Sequence, residues 1–455
     1  MVASSIVSVA NLENSLDFSP EYYRPEWLRL SKRLHEHPFS KMGSFANITD
    51  GEHGSPDWDI NSGIRYIAAE HILANALSNA PMRTISAAQD VRNARSRVQK
   101  NDILVYSVGA YAGLAARAEP HLFPANIPRS VAIIRLKPGA PFRAGFVTVF
   151  LNTEYGQFQT RRLRAGNSQP VLALEKIRQI ELPQIPIDLQ DKVDQLYESA
   201  YQARLSAQRS YLRAKELLET ELGLNKLTFQ KMVGYTASFN ELQMSRRFDP
   251  EHYSPLFRAF KDALPVGITL SPLSNYLYFC NRGKQPIYSN AGIPVINSKH
   301  VQENRIIFEG NRVALHNSET DLQIRYGDTL LNGTGRGTIG RSAPYLIDEP
   351  AIPDNHVTIL RSDNLDPVFL SLYLNSAAGQ MQVEMHQRGT SGQLELYPHD
   401  IRKFLIWPAP ETFQKTLRKI HETAYAAELE SKKYLEQAKT HVEQLIEEVF
   451  HGSDR

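Results

Sequence analysis

The chain has a single cysteine, Cys280, among its 455 residues. That excludes an intramolecular disulfide and any metal site built on a cysteine cluster. Apolar runs of membrane-spanning length are also missing. The longest, around Val131–Leu136, suits a buried strand. Strong charge of either sign is lacking: the formal net charge is +2, so composition alone announces no polyanion-binding surface, although a basic face can hide in a balanced total. The first residues have no basic stretch ahead of an apolar one and reach Glu13 and Asp17 early, so they do not read as a secretory signal. A lone cysteine and no signal fit a cytoplasmic protein. Catalytic signatures are absent as well. There is no Asn/Asp-Pro-Pro-aromatic tetrapeptide, no glycine-rich S-adenosylmethionine loop, no H-E-x-x-H and no G-x-S-x-G. Asp57, Asp59 and Glu70 could be strung into a metal site, but no spacing fixes them. No metal and no cofactor are expected, and the chain reads as a non-catalytic binding protein.

What is present is a hydrophobic content of 42% and a charged content of 22%, ordinary for a globular chain of two or three domains. The most regular stretch is 187–222. Val193, Leu196, Ala200, Ala203, Ala207, Ala214 and Leu217 alternate at spacings of three and four, with Ser210 in the gap. This is a heptad seam, too narrow for a helix on a globular surface, and it needs a partner helix. Pro186 precedes it and Gly223 follows it, the expected start and stop. A second such helix spans about 412–450, with Leu417, Ile420, Ala424, Ala427, Leu435, Ala438, Val442, Leu445 and Val449 on its seam. Each helix would be roughly 54 Å long. The seam leaves the pairing direction open.

The two helices belong to a longer repeat. Phe18-Ser19-Pro20-Glu21-Tyr22-Tyr23-Arg24-Pro25 returns as Phe248-Asp249-Pro250-Glu251-His252-Tyr253-Ser254-Pro255, at an offset of 230. Further matches follow in order. Asp102-Ile103-Leu104 answers Asp328-Thr329-Leu330, and Ser130-Val131-Ala132-Ile133-Ile134-Arg135 answers His356-Val357-Thr358-Ile359-Leu360-Arg361. Leu151-Asn152-Thr153 with Gly156-Gln157 answers Leu374-Asn375-Ser376 with Gly379-Gln380. Ordered matches with a slowly drifting offset indicate a tandem duplication whose period is a whole domain plus a helix. The expected fold is α+β: twice over, a β-rich domain of short strands (1–186 and 248–410) followed by a long helix (187–222 and 411–455), with a connector at 223–247. A short helix is expected at 144–162 and again at 367–385.

The candidate binding residues lie in loops. In the first half they are His53 and Ser55 in a glycine-rich turn, Ser107 and Tyr111 in Ser107-Val108-Gly109-Ala110-Tyr111-Ala112-Gly113, Arg129 ahead of a strand, and Arg164 and Asn167 after a helix. In the second half they are Arg282 and Lys284, Asn297 and Lys299, then Arg336, Thr338 and Arg341 in Asn332-Gly333-Thr334-Gly335-Arg336-Gly337-Thr338-Ile339-Gly340-Arg341, and Arg388 and Ser391. This last glycine run lacks the Gly-Lys-Ser/Thr ending of a phosphate loop and leads into no helix, so a strand–turn–strand facing a ligand is expected. Arginine and lysine match guanine edges, asparagine matches adenine, and lysine, serine and threonine hold phosphates. Taken singly, each reads better as an ordinary solvated side chain. The argument rests on the set recurring in both halves.

Order and duplication together resemble the specificity (S) subunit of type I restriction-modification systems. The phrases carrying the resemblance are Thr49-Asp50-Gly51-Glu52-His53-Gly54-Ser55-Pro56, Gly292-Ile293-Pro294-Val295-Ile296, Gly327-Asp328-Thr329-Leu330, Thr338-Ile339-Gly340, Leu374-Asn375-Ser376 and the proline-terminated strand before each long helix. Ala110-Tyr111-Ala112 departs from the pattern, replacing the usual Thr-Ile before Gly113. The resemblance implies two target recognition domains, each reading one half of a split sequence in double-stranded DNA. It also implies that the helices pair as an antiparallel coiled coil, docking two modification (methyltransferase) subunits that restriction subunits then join. No membrane partner is implied. A standalone DNA-modifying enzyme and a protein-binding scaffold are the alternatives.

Overall fold

A computed structural model of the chain describes residues 20–78, 80–166, 168–227, 234–308, 310–315, 322–389 and 394–448. They form two compact units, one of residues 20–205 with 428–448 and the other Ser206–Ala427. Phe18, Asn167, Ser391 and Val449 lie outside the described residues.

Each unit is built on a four-stranded antiparallel sheet with the same strand order. In the first unit the order is Ala46–Asp50, Val131–Leu136, Ile103–Tyr106, Ala115–Arg117. In the second it is Leu277–Arg282, Val357–Ser362, Asp328–Asn332, Ser342–Tyr345. These strands are apolar on both faces because both faces are covered. Ala132 and Ile134 point into a core shared with helices, while Val131 and Ile133 point into a second core lined by Ile67, Ile72 and Leu77. Leu360 and Ile359 divide between two cores of the second unit in the same way. The side-chain period of two along a strand makes one apolar run serve two cores.

The single short helix expected in each half is two. Ala144–Asn152 stops at Thr153 and Glu154–Leu163 begins; Pro367–Asn375 stops at Ser376 and Ala377–His386 begins. The hydroxyls of Thr153 and Ser376 accept the N–H of Gly156 and Gly379 and cap the second helix of each pair. A Cβ at either glycine would collide with a carbonyl of the preceding helix, that of Phe150 or Leu374. The repeated Leu-Asn-Thr/Ser-x-x-Gly-Gln phrase is thus a helix–corner–helix. Its asparagine bolts the corner to the sheet. Asn152 donates to Ala115 O and to Asn75 Oδ1 (both 2.8 Å), and Asn375 donates to Ser342 O and Asn304 Oδ1 (both 2.7 Å).

The long helices are Ile187–Glu221 and Glu411–Glu448. Gly223, at φ +69°, ends the first in the left-handed conformation that glycine adopts without strain. In the first unit Ser431 Oγ donates to Ala200 O at 2.7 Å, and Val193 and Tyr197 share a core with Ala438 and Val442. In the second unit the Tyr211 and His421 rings meet at 5.3 Å, and Ala214 and Leu218 share a core with Leu417. Numbers rise along one helix as they fall along the other, so the pairing is antiparallel in both units. The seam differs in detail from the expected one. Tyr197 and Leu218 are buried, and Leu196 and Leu217 flank them half-buried. Ala200, Ala207 and Ala214 recur every seven residues on one helix, and Ala424, Ser431 and Ala438 on the other; residues this small permit a close helix approach. His421 is buried on this seam and its Nε2–H donates to Asn304 O at 2.7 Å; burial holds its pKa below the ordinary histidine value.

Candidate nucleic-acid interface

The same cradle is assembled twice from the loop after the third sheet strand and the segment after the second short helix. In the first unit Gly109 N–H donates to Pro170 O (2.9 Å) and Leu172 N–H to Ser107 O (2.8 Å), while Ala165 and Val171 exchange both backbone bonds (2.9 and 2.8 Å). In the second, Gly335 N–H donates to Leu394 O (3.3 Å) and Leu396 N–H to Gly333 O (2.8 Å), while Arg388 and Glu395 exchange theirs (2.7 and 2.8 Å). Gly113 (φ +108°) and Gly340 (φ +81°) turn each loop back toward the sheet, where a Cβ would strike Thr160 or Val383. Gln157 and Gln380 then grip the carbonyls of those two glycines, at 3.0 and 3.1 Å. Backbone bonds hold the cradle, so its exposed side chains are free to differ. This is the strand–turn–strand expected of the second glycine run.

Beside the first cradle lies a groove of about 840 Å³. Arg24, Arg161, Arg162 and Arg164 line it, with Tyr22, Trp27 and Tyr111 among the aromatic walls. Arg162 stacks on Tyr22 at 3.6 Å from the ring centre. Burial and the neighbouring Arg161 charge hold the Arg164 pKa below its ordinary value. Cations packed together among rings suit an anionic, stacked ligand such as nucleic acid. Of the residues expected from the sequence, Tyr111 and Arg164 line this groove. Tyr111 projects with two-thirds of its surface exposed, its ring edge-on to Tyr106 at 6.2 Å. Ser107 is buried and its hydroxyl donates to Arg129 O at 3.3 Å, so it supports the loop from beneath. Arg129 is exposed. His53 and Ser55 are exposed but are not among the groove's lining residues; His53 Nε2 sits 2.9 Å from Asp50, which also pairs with Arg95.

In the second unit several expected contacts are spent on the protein itself. Arg282 donates to Gly333 O (2.9 Å) and pairs with Glu395 (3.3 Å), pinning the glycine loop. Arg388 makes a two-pronged pair with Asp400 (2.8 and 3.1 Å). Desolvation pushes the Asp400 pKa up, but the hydrogen bonds from Arg388 and Lys403 outweigh it and bring the pKa down to about 2. Thr338 does not face outward: its hydroxyl donates back to Thr334 O at 2.8 Å. Arg341 donates to Gln302 at 3.2 Å. Asn297 Oδ1 accepts Lys299 N–H (3.1 Å), and Lys299 Nζ donates to Gly310 O (2.9 Å). Asn332 ties their turn to the loop through Ser298 O at 2.9 Å. Lys284 and Arg336 are exposed. Sequence reasoning passed over Arg24, Trp27, Val171 and Glu395. The signal available was the repeat itself, which places Val171 opposite Glu395 when extended through the weakly matching segment.

Among the described residues no cluster of three or more His, Cys, Asp or Glu is placed to hold a metal ion, and no helix is long and apolar enough to cross a membrane.

Neither a protein-family model nor a curated protein sequence matches the chain. Solved structures do. One is the S subunit of a type I restriction-modification system from M. genitalium, 11% identical over 90% of this chain and 94% of that one, with a TM-score of 0.42. The HsdS subunit from Thermoanaerobacter tengcongensis is 12% identical over 90% of this chain and 96% of that one, with a TM-score of 0.27. A chain from a structure of the type I R-M system, described for its complex assembly and conformational transition, is 13% identical over 91% and 97%, with a TM-score of 0.31. The chain is similar to S subunits of type I restriction-modification systems over about nine-tenths of its length.

Proposed function

We propose that the chain is the DNA-binding specificity subunit of a type I restriction-modification assembly. Its recognition domains, 1–186 and 248–410, each read one half of a split, asymmetric target in double-stranded DNA. The observation that carries this reading is the twice-built cradle: one backbone bonding pattern presenting different side chains in each unit. A constant frame with variable exposed residues is what two different half-sites require. Bases are then distinguished by donors and acceptors along their edges. The antiparallel helices serve as a ruler that fixes the unread gap, since half-site spacing follows from the spacing of the reading elements. The chain itself performs no chemistry. Two methyltransferase subunits, docked on the helices, flip and modify the target base, and restriction subunits join that core in the cytoplasm.

The test is the methylation pattern of the source cell, followed by binding measurements. The chain with its modification subunits should bind a duplex bearing the methylated split sequence ~10³-fold or more tighter than random duplex at physiological salt. Methyl transfer by the purified chain alone would overturn the non-catalytic assignment. No affinity for DNA, alone or in complex, would leave the protein-binding scaffold as the reading.

A further inference from the structure

The two cradles carry opposite net charge. Aligned on their exchanged backbone bonds, Arg161 falls opposite Glu384, Arg164 opposite Gln387 and Val171 opposite Glu395. Residues 161–171 contain three arginines and no carboxylate, whereas residues 384–395 contain one arginine and two glutamates. That one arginine, Arg388, is already neutralised by Asp400, and Arg282 by Glu395. Arg161 and Arg164 have no carboxylate partner among the described residues, and both line the groove. Two unneutralised guanidinium groups side by side gain most from an incoming phosphate; a guanidinium held by a carboxylate must first give up that partner and gains little.

Building on the DNA-reading function above, we propose that the first unit supplies the salt-dependent hold on the phosphates, through Arg161 and Arg164. In the second unit Arg282 and Arg388 are positioning residues that latch the reading loop and take no phosphate. Arg336, exposed at the loop tip, Arg341, which meets only Gln302, and the exposed Lys284 are left as the second unit's own candidate phosphate contacts.

The experiment measures affinity of the full chain, with its modification subunits, for a labelled duplex of random sequence between 50 and 200 mM NaCl. Each phosphate contact adds about 0.9 to the slope of log affinity against log salt. Arg161→Ala with Arg164→Ala should lower the slope by about 1.8, so the loss of affinity across that range becomes about twelvefold smaller than in the wild type. Arg161→Lys with Arg164→Lys should keep the wild-type slope, because charge sets it. Arg282→Ala with Arg388→Ala should leave the slope unchanged while reducing the preference for the methylated split sequence over random DNA. A slope unaffected by the first pair, or lowered as much by the second, overturns the inference and leaves the specificity function standing. A wild-type complex that binds no duplex at all removes both.

Discussion

The buried ion pair Asp328–Arg361 offers a quantitative test of how burial sets the cost of an unpaired charge. Asp328 is 2% exposed and accepts from Arg361 Nε (2.7 Å), Arg361 Nη2 (3.0 Å) and Arg325 N–H (2.9 Å). Its repeat partner Asp102 accepts from Arg135 at 2.7 Å, but Arg135 keeps 30% of its side-chain surface in water. Arg361→Ala strands a carboxylate in the core and should cost ~3–5 kcal/mol. Arg135→Ala opens a path for water to the carboxylate and should cost ~1–3 kcal/mol. Unfolding of two units is not one transition, so the probe must be local. Trp407, packed on Phe369 and Phe413, reports on the second unit in a Trp27→Phe, Trp58→Phe background. Urea titrations of this fluorescence give the cost of Arg361→Ala, and the converse background with Trp27 retained gives that of Arg135→Ala. Equal losses, or a loss under ~1 kcal/mol for Arg361→Ala, would refute the argument from burial. Replacing both partners by Leu and Met should recover most of the loss.

Three other outcomes are expected. Burial pushes the pKa of His386, packed against Phe404 at 5.4 Å, from 6.5 down to about 4. Its neutral form contributes stability that is complete above pH 6.5 and lost as pH falls toward 4, up to ~3 kcal/mol; His386→Leu should flatten that limb in urea midpoints recorded against pH. Gly379→Ala should destabilise the second unit by more than the ~1 kcal/mol that alanine ordinarily gains in a helix, because its Cβ meets the Leu374 carbonyl; thermal melting that shows stabilisation would remove the helix corner from the account. Removing seven residues from each long helix, 204–210 and a matching heptad of Glu411–Glu448, should shorten the ruler by ~10 Å and the preferred gap by about three base pairs. A methylation pattern with an unchanged gap would show that the helices do not measure it.

The amino-acid order by itself determined the duplication, the two long helices to within a residue or two where described, and the buried central strand Val131–Leu136 with its repeat partner. These are properties of local pattern: a period of three and four, a continuous apolar run, and phrases recurring in sequence. It also located the loops that form the cradles. Where the structure differs, a specific contact that the residue pattern does not encode decided it. The helix corners are not visible in the apolar pattern of 144–162, because the steric demand comes from one carbonyl meeting one glycine. Tyr197 displaced Leu196 from the seam because what an aromatic ring packs against is set by the neighbouring helix and core. Ser107, Thr338, Arg282 and Arg388 all have the right chemistry for a ligand, yet the fold turns the two hydroxyls inward and gives the two arginines carboxylate partners. Glu395 reaches Arg282 across 113 residues. Residue type states what a side chain can bind; only the tertiary structure brings up the partner that decides whether it is already bound, and only side-chain packing selects the direction in which two heptad seams meet.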